Sequence, residues 1–200
     1  MRAAANMVEP ALGARPLPLF AWSAARRAAL ARRRRLRRRA ALLGAAVAAL
    51  AATIAFPPAP RLLWNASASA PVGLYAVTPG ARLERGDMAI AWPPPSARRL
   101  AARRRYLPLG VPLVKRVAGV AGDTICAADR TVLVNRTPVA VRRLADAAGR
   151  PLPAWQGCFT LGAGSVFLLM RESPDSFDGR YFGGTRAQDV IGKATPLWLR

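Results

Sequence analysis

The 200-residue chain contains no histidine, and that absence removes the largest set of catalytic options. A Ser-His-Asp triad, a Cys-His pair and a His-ligated zinc are all impossible within it. Cysteine occurs twice, too rarely for a zinc site, and no His is present to activate either thiol. Acids are scarce, 10 against 31 Lys plus Arg, for a net charge of +21. Lysine is scarcer still, at Lys115 and Lys193 only, so nearly all cations are Arg. Guanidinium is permanently charged, whereas a desolvated ammonium can lose its proton and act as a base. With 52% hydrophobic residues, the chain is no disordered basic tail. Its length suits one modest domain plus an appendage.

The positive charge is unevenly spread. From Met1 to Arg39 there are 11 Arg and one acid, Glu9, and seven of those Arg lie between Arg32 and Arg39. Ala40 to Phe56 then runs 17 residues without a charge before reaching Pro57, Pro58 and Pro60. As a helix this run is roughly 25 Å long, near the lower limit for crossing a bilayer core of about 30 Å. Arg61, Leu62, Leu63 and Trp64 read as an interfacial edge. By the positive-inside rule the amino terminus is cytoplasmic and the rest lies outside. Competing readings are a cleaved signal peptide, a soluble Ala-rich helix and an Arg arm that grips nucleic acid. The long basic lead, the missing polar face and the abutting apolar run argue against each in turn. The expected organisation is a basic cytoplasmic segment over 1–39, a transmembrane signal anchor over 40–60 and an extracytoplasmic β-rich domain over 61–200. Nucleic acid is then not the favoured partner.

Past Asn65, short β-like runs alternate with Gly, Pro and Asp turn signals. Strands are predicted over Gly73–Val77, Met88–Trp92, Val111–Val117, Thr124–Ala127, Thr131–Asn135, Thr137–Val141, Val166–Met170 and Val190–Leu197. The class is mainly β. Ser96 to Tyr106, with five Arg, reads as a solvated loop or short surface helix, the alternatives being contact with lipid headgroups or an acidic substrate. Cys126 and Cys158 lie in the part assigned to the oxidising side, where a disulfide survives.

Two segments carry possible chemistry. In Asn65 to Tyr75 (NASASAPVGLY), Pro71 and Gly73 pre-set the backbone just after Ser69, which can present a hydroxyl at a fixed angle with its own amide free. In Val111 to Asp123 (VPLVKRVAGVAGD), alternation places Lys115 on an apolar face with Leu113 and Val117, and Arg116 on the other. A buried ammonium must find a partner or deprotonate, and the neutral amine is a competent base for a Ser hydroxyl.

These segments, followed by SFDGRYFG from Ser176 to Gly183, resemble the type I signal peptidases, specifically the TraF type associated with conjugative transfer. The resemblance runs from Asn65 to Leu199, with the blocks in the family's order. It implies a LexA-like, signal-peptidase-like all-β catalytic domain behind a single transmembrane helix. It also implies a Ser-Lys serine peptidase that needs no metal or cofactor and acts on a membrane-bound preprotein or prepilin. Ser69 matches the nucleophile and Lys115 the general base. Ser67 falls where a hydroxyl helps bind the oxyanion, and Asp178 matches an acid tied to the active site. Asp178 and Arg180 are expected to pair, with Ser176 free to hydrogen-bond the Lys115 amine. Lys193 reads as a surface residue. A soluble LexA-like autoprotease shares the dyad logic, but an apolar run stands where its DNA-binding domain would be. A basic anchored assembly protein without peptidase activity is the alternative from another class.

Overall fold

The computed structural model describes residues 18–56 and 59–200. The chain divides into two compact units, one through Pro58 and one over Ala59–Arg200. The basic residues before Pro18, and the prolines 57 and 58 expected to end the apolar helix, lie outside the described residues.

The first unit is built on one helix, α1 (Pro18–Ala55), of 38 residues and about 57 Å. It starts well before the apolar run because Ala, Leu and Arg all favour helix, and the arginines extend it rather than break it. Leu42, Leu43, Val47, Leu50 and Ile54 are all exposed on it. By length and composition this helix can cross a membrane.

The second unit is mainly β. In chain order its elements are β1 (Leu62–Asn65), β2 (Gly73–Pro79), β3 (Met88–Ala91), α2 (Pro95–Arg103), β4 (Leu113–Gly119), β5 (Thr124–Ala128), β6 (Thr131–Val134), β7 (Thr137–Val141), β8 (Gly157–Thr160), β9 (Phe167–Leu168), α3 (Gly179–Phe182) and β10 (Val190–Leu199). A six-stranded sheet has the order β1-β2-β10-β3-β4-β9, and a four-stranded sheet the order β7-β6-β5-β8. Every strand pairing is antiparallel.

Several expected strands keep their core but change their ends. The run expected over Val111–Val117 becomes β4, two residues later, because Pro112 has no N–H to enter the ladder. Val166–Met170 shrinks to β9, with Val166 making only an isolated bridge to Thr185. Two short edge strands, β1 and β8, were not expected. Leu62–Trp64, read as an interfacial edge, pairs with Leu74–Ala76 of β2. The Arg-rich Ser96–Tyr106 segment is largely α2, which buries Ala97 and Ala101, one turn apart, and turns its arginines outward.

The core lies against both sheets. Tyr75, Val77, Ile90, Val114 and Ala194 form one buried cluster, while Ile125, Val132, Leu161, Phe167 and Leu169 form another. The β6–β7 turn places Asn135 and Arg136 at φ 48° and 69°, the left-handed geometry of a two-residue hairpin. Asn135 anchors this turn, accepting from Thr124 N at 2.9 Å and donating to Asp123 Oδ1 at 2.9 Å. Cys126 and Cys158 face each other in the β5–β8 register and form a disulfide that ties edge strand β8 to its neighbour. On the outer face of the larger sheet, Trp64 and Trp198 flank Leu74 from either side in register. Their ring centroids lie 5.5 Å apart, and both are exposed, as are Leu62, Leu197 and Leu199.

Candidate active site

The loop between β1 and β2 carries Ser67 and Ser69, and one side chain organises it. Asn65, buried at the end of β1, donates through Nδ2 to the carbonyls of Ser67, Ala70 and Pro71 at 3.1, 3.1 and 3.0 Å. Its Oδ1 accepts from Ser67 N at 3.1 Å. Tyr75 Oη adds a bond to Pro71 O at 2.7 Å, and Ala70 N closes a turn onto Ser67 O at 3.3 Å. A loop of small residues is thereby held as firmly as an element of regular structure. Ser69 Oγ lies 2.9 Å from Ser67 Oγ, and the Ser69 amide, expected to be free, donates to the same Ser67 oxygen in a long bond of 3.5 Å.

Lys115 comes from β4, opposite Ala89 of β3. The small cross-strand neighbour leaves room for the lysine stem, and the residue is 2% exposed. Its Nζ lies 2.5 Å from Ser69 Oγ and donates to Ser176 Oγ at 2.8 Å. No carboxylate forms a salt bridge with Lys115 among the described residues. Burial pushes its pKa down to about 8; the charge of Asp178 opposes the shift and that of Arg180 adds to it.

Ser176 sits in the connection between β9 and α3, fixed by a turn in which its N–H donates to Ser173 O at 3.0 Å. Behind it is a buried ion pair. Arg180 Nε donates to Asp178 Oδ1 at 2.8 Å, with side chains 2% and 0% exposed. The Asp178 carboxylate also accepts from Met170 N at 3.0 Å, while Arg180 donates to the carbonyls of Met170, Ser173 and Pro174. The pair thus closes the Met170–Asp178 connection on itself. Ser69, Lys115 and Ser176 therefore meet, Ser67 adjoins them, and Asp178 and Arg180 lie in the supporting layer. Lys193 is elsewhere, paired with Asp87 at 2.7 Å near the surface.

Ser69 and Lys115 line one cleft of about 470 Å³, walled by segments from across the second unit. Leu63, Val111 and Leu113 make it apolar on one side; Tyr106, Phe177 and Tyr181 add aromatic rings. No group of three or more His, Cys, Asp or Glu able to hold a metal occurs among the described residues. Asn65 is the member of this arrangement that the sequence reading missed. Its one signal was an amide at the junction of a short apolar strand and a Ser- and Ala-rich turn.

Residues 34–199 match the family model described as signal peptidase, peptidase S26. Over 143 residues the chain is 35% identical to a plasmid transfer protein TraF of Escherichia coli, covering 66% of this chain and 80% of that one. A probable conjugal transfer protein TraF of Sinorhizobium fredii is 35% identical over 145 residues, 65% of this chain and 73% of its own. Among solved structures, a signal peptidase I of Enterococcus faecalis aligns at a TM-score of 0.34 and 23% identity, covering 57% of this chain and 98% of that one. The chain accordingly belongs to the S26 signal peptidase family and stands with its TraF-type members.

Proposed function

We propose that this protein is a membrane-anchored endopeptidase with a Ser69–Lys115 dyad that removes leader peptides from exported preproteins and matures a conjugative pilin subunit. The observation that carries the reading is the Lys115 amine, buried without a carboxylate partner 2.5 Å from the Ser69 hydroxyl. An amine with its pKa lowered to about 8 is neutral in roughly a tenth of molecules at about pH 7, far more often than an ordinary lysine, and that fraction can accept a proton.

In the proposed reaction, neutral Lys115 takes the Ser69 proton as Oγ attacks the scissile carbonyl. One of its two N–H groups stays on Ser176, which helps to aim the lone pair at Ser69. The oxyanion is received by the Ser69 amide with help from the Ser67 hydroxyl. Protonated Lys115 then gives its proton to the leaving amine, and the acyl-enzyme remains on Ser69. Water resolves it to a cleaved product; an amine of the same substrate resolves it to a cyclic one, lighter by one water. Asp178 and Arg180 hold the Met170–Asp178 connection so that Ser176 stays in reach.

The chain is read as single-pass in the inner membrane, with a cytoplasmic amino terminus and a periplasmic catalytic unit. Seven Arg between Arg32 and Arg39, directly before the apolar part of α1, support this orientation. The exposed Trp64 and Trp198 pair supports a catalytic unit working near the bilayer surface, where amphipathic rings are favoured. A preprotein held by its own apolar segment would offer its cleavage site there. The transfer names of the relatives support a pilin-like substrate.

The test uses the full chain in detergent with a prepilin-like substrate. Wild type cleaves it, while Ser69→Ala and Lys115→Arg do not. Normal cleavage by Lys115→Arg would remove the general-base role, because guanidinium does not deprotonate. Absence of cleavage by wild type would favour an assembly protein without peptidase activity.

A further inference from the structure

Beside the dyad, two segments far apart in sequence, both lining the cleft, are fastened together. Arg104 and Tyr106 follow α2; Asp146 and Arg150 belong to the connection between β7 and β8. Tyr106 Oη donates to Asp146 Oδ2, and Arg150 Nε donates to the same oxygen at 2.8 Å. The backbone N–H groups of Ala148 and Arg150 donate to Asp146 Oδ1 at 3.0 and 2.9 Å. Arg104 Nη2 donates to Pro151 O at 2.8 Å, and its Nη1 lies 3.7 Å from Asp146 Oδ2. The Asp146 side chain is only 8% exposed. The Tyr106 hydroxyl, followed by the Arg150 and Ala148 donors, holds its carboxyl well below the usual carboxylate range.

This cluster reaches the chemistry through rings. Tyr106 meets Phe177 with centroids 5.4 Å apart, and Phe177 stacks on Tyr181 at 5.8 Å. Phe177 directly follows Ser176, the partner of the Lys115 amine. Tyr106, Asp146, Phe177 and Tyr181 all line the cleft that contains Ser69 and Lys115. Between β7 and β8 the connection has no regular strand; the isolated bridge of Ala145 to Pro151 and backbone bonds from Asp146 N to Arg150 O and from Leu152 N to Leu144 O fold it into a small hairpin. A surface cluster of polar groups needs neither a buried carboxylate nor partners 40 residues apart.

We infer that Asp146 is a positioning residue for substrate binding, clasping the Arg104–Tyr106 segment to the β7–β8 connection so that the two form one wall of the cleft. The inference rests on the peptidase reading of that cleft. Its two faces can be separated chemically. Asp146→Asn keeps an oxygen for the Ala148 and Arg150 N–H groups, so the local turn survives, but sets an amide donor against the Arg150 Nε–H and replaces the charge-assisted bond from Tyr106 by a neutral one. Tyr106→Phe removes the hydroxyl's bond to Asp146 and the one it accepts from Arg104 Nη1 at 3.4 Å, and retains the ring contact with Phe177.

The experiment measures steady-state cleavage of a prepilin-like substrate by the full chain in detergent. Active sites are counted with a serine-reactive phosphonate, so that misfolded enzyme is excluded. Each single variant is expected to raise KM about tenfold while kcat stays within about twofold, the pattern of lost binding without lost chemistry. The double variant should be no worse than Asp146→Asn alone by more than a small factor, because both substitutions remove the same charge-assisted bond. Independent, multiplying effects would overturn the clasp, as would a fall in kcat at constant KM or no change in either constant. Wild type that neither cleaves nor reacts with the phosphonate would instead remove the peptidase reading, and the inference with it.

Discussion

Lys115 Nζ and Ser69 Oγ lie 2.5 Å apart although 46 residues separate them in the chain. One comes from the middle of a paired strand and the other from a loop braced by Asn65, so neither depends on the other for its position. A buried amine beside a hydroxyl, with a second hydroxyl on its far side, is poised to gain a proton from one while it donates to the other.

The first expectation concerns pH. Lys115 must be neutral to accept the proton, and its pKa is lowered to about 8. Cleavage therefore rises with pH, reaches half its plateau near 8 and falls about tenfold per unit below that. A pH profile of kcat/KM checks this, and a profile flat between about pH 6 and 9 would contradict the neutral-amine account.

Ser176 should matter to chemistry rather than binding. Its Oγ holds the Lys115 amine at 2.8 Å, so Ser176→Ala frees the amine to turn away from Ser69. We expect kcat to fall by about 10- to 100-fold with KM little changed, because small misplacements of a reacting group carry costs of that order. Steady-state kinetics on the full chain separate the two constants.

Asp178→Asn leaves Arg180 charged, almost wholly buried and without its carboxylate. Breaking one partner of such a pair costs about 3–5 kcal/mol, and the carbonyls of Met170, Ser173 and Pro174 favour the low end. Equilibrium unfolding in denaturant measures the loss. A change below about 1 kcal/mol would mean that those carbonyls suffice for the guanidinium.

Asn65→Ala removes four hydrogen bonds that shape the loop from Ser67 to Pro71. Stability should fall by about 1–3 kcal/mol, since the buried Ala70 carbonyl and the Ser67 N–H lose their partner, while Pro71 O keeps Tyr75 Oη and Ser67 O keeps Ala70 N. The rate of Ser69 modification by a serine-reactive phosphonate should fall further than stability alone accounts for, because the hydroxyl is no longer held. An unchanged modification rate in the folded variant would make Asn65 purely structural.

Much of the arrangement is legible in the sequence where one strand suffices to state it. The alternation around Lys115 reports its burial because β4 buries that face along its length. Asn135 marks its hairpin because Asn is one of the few residues besides Gly that readily take a left-handed position. Edge strands are less visible: Leu62–Asn65 and Gly157–Thr160 are four residues each, too short for alternation to stand out. The arginines of Ser96–Tyr106 leave loop and short surface helix undecided in the sequence, because the buried face of α2 is only Ala97 and Ala101. Least legible is the contact of Tyr106 with Asp146, which no local pattern encodes because it depends on where two irregular segments are brought by separate sheets.

The central claim is that Ser69 forms an acyl-enzyme with Lys115 as its base. The most direct measurement is mass spectrometry of the full chain, quenched in acid during turnover of a prepilin-like substrate and then digested. A substrate-derived acyl group is expected on the peptide containing Ser69 in wild type, and none in Ser69→Ala or Lys115→Ala. Cleavage by wild type with the acyl group on another residue, or an undiminished adduct in Lys115→Ala, would contradict it.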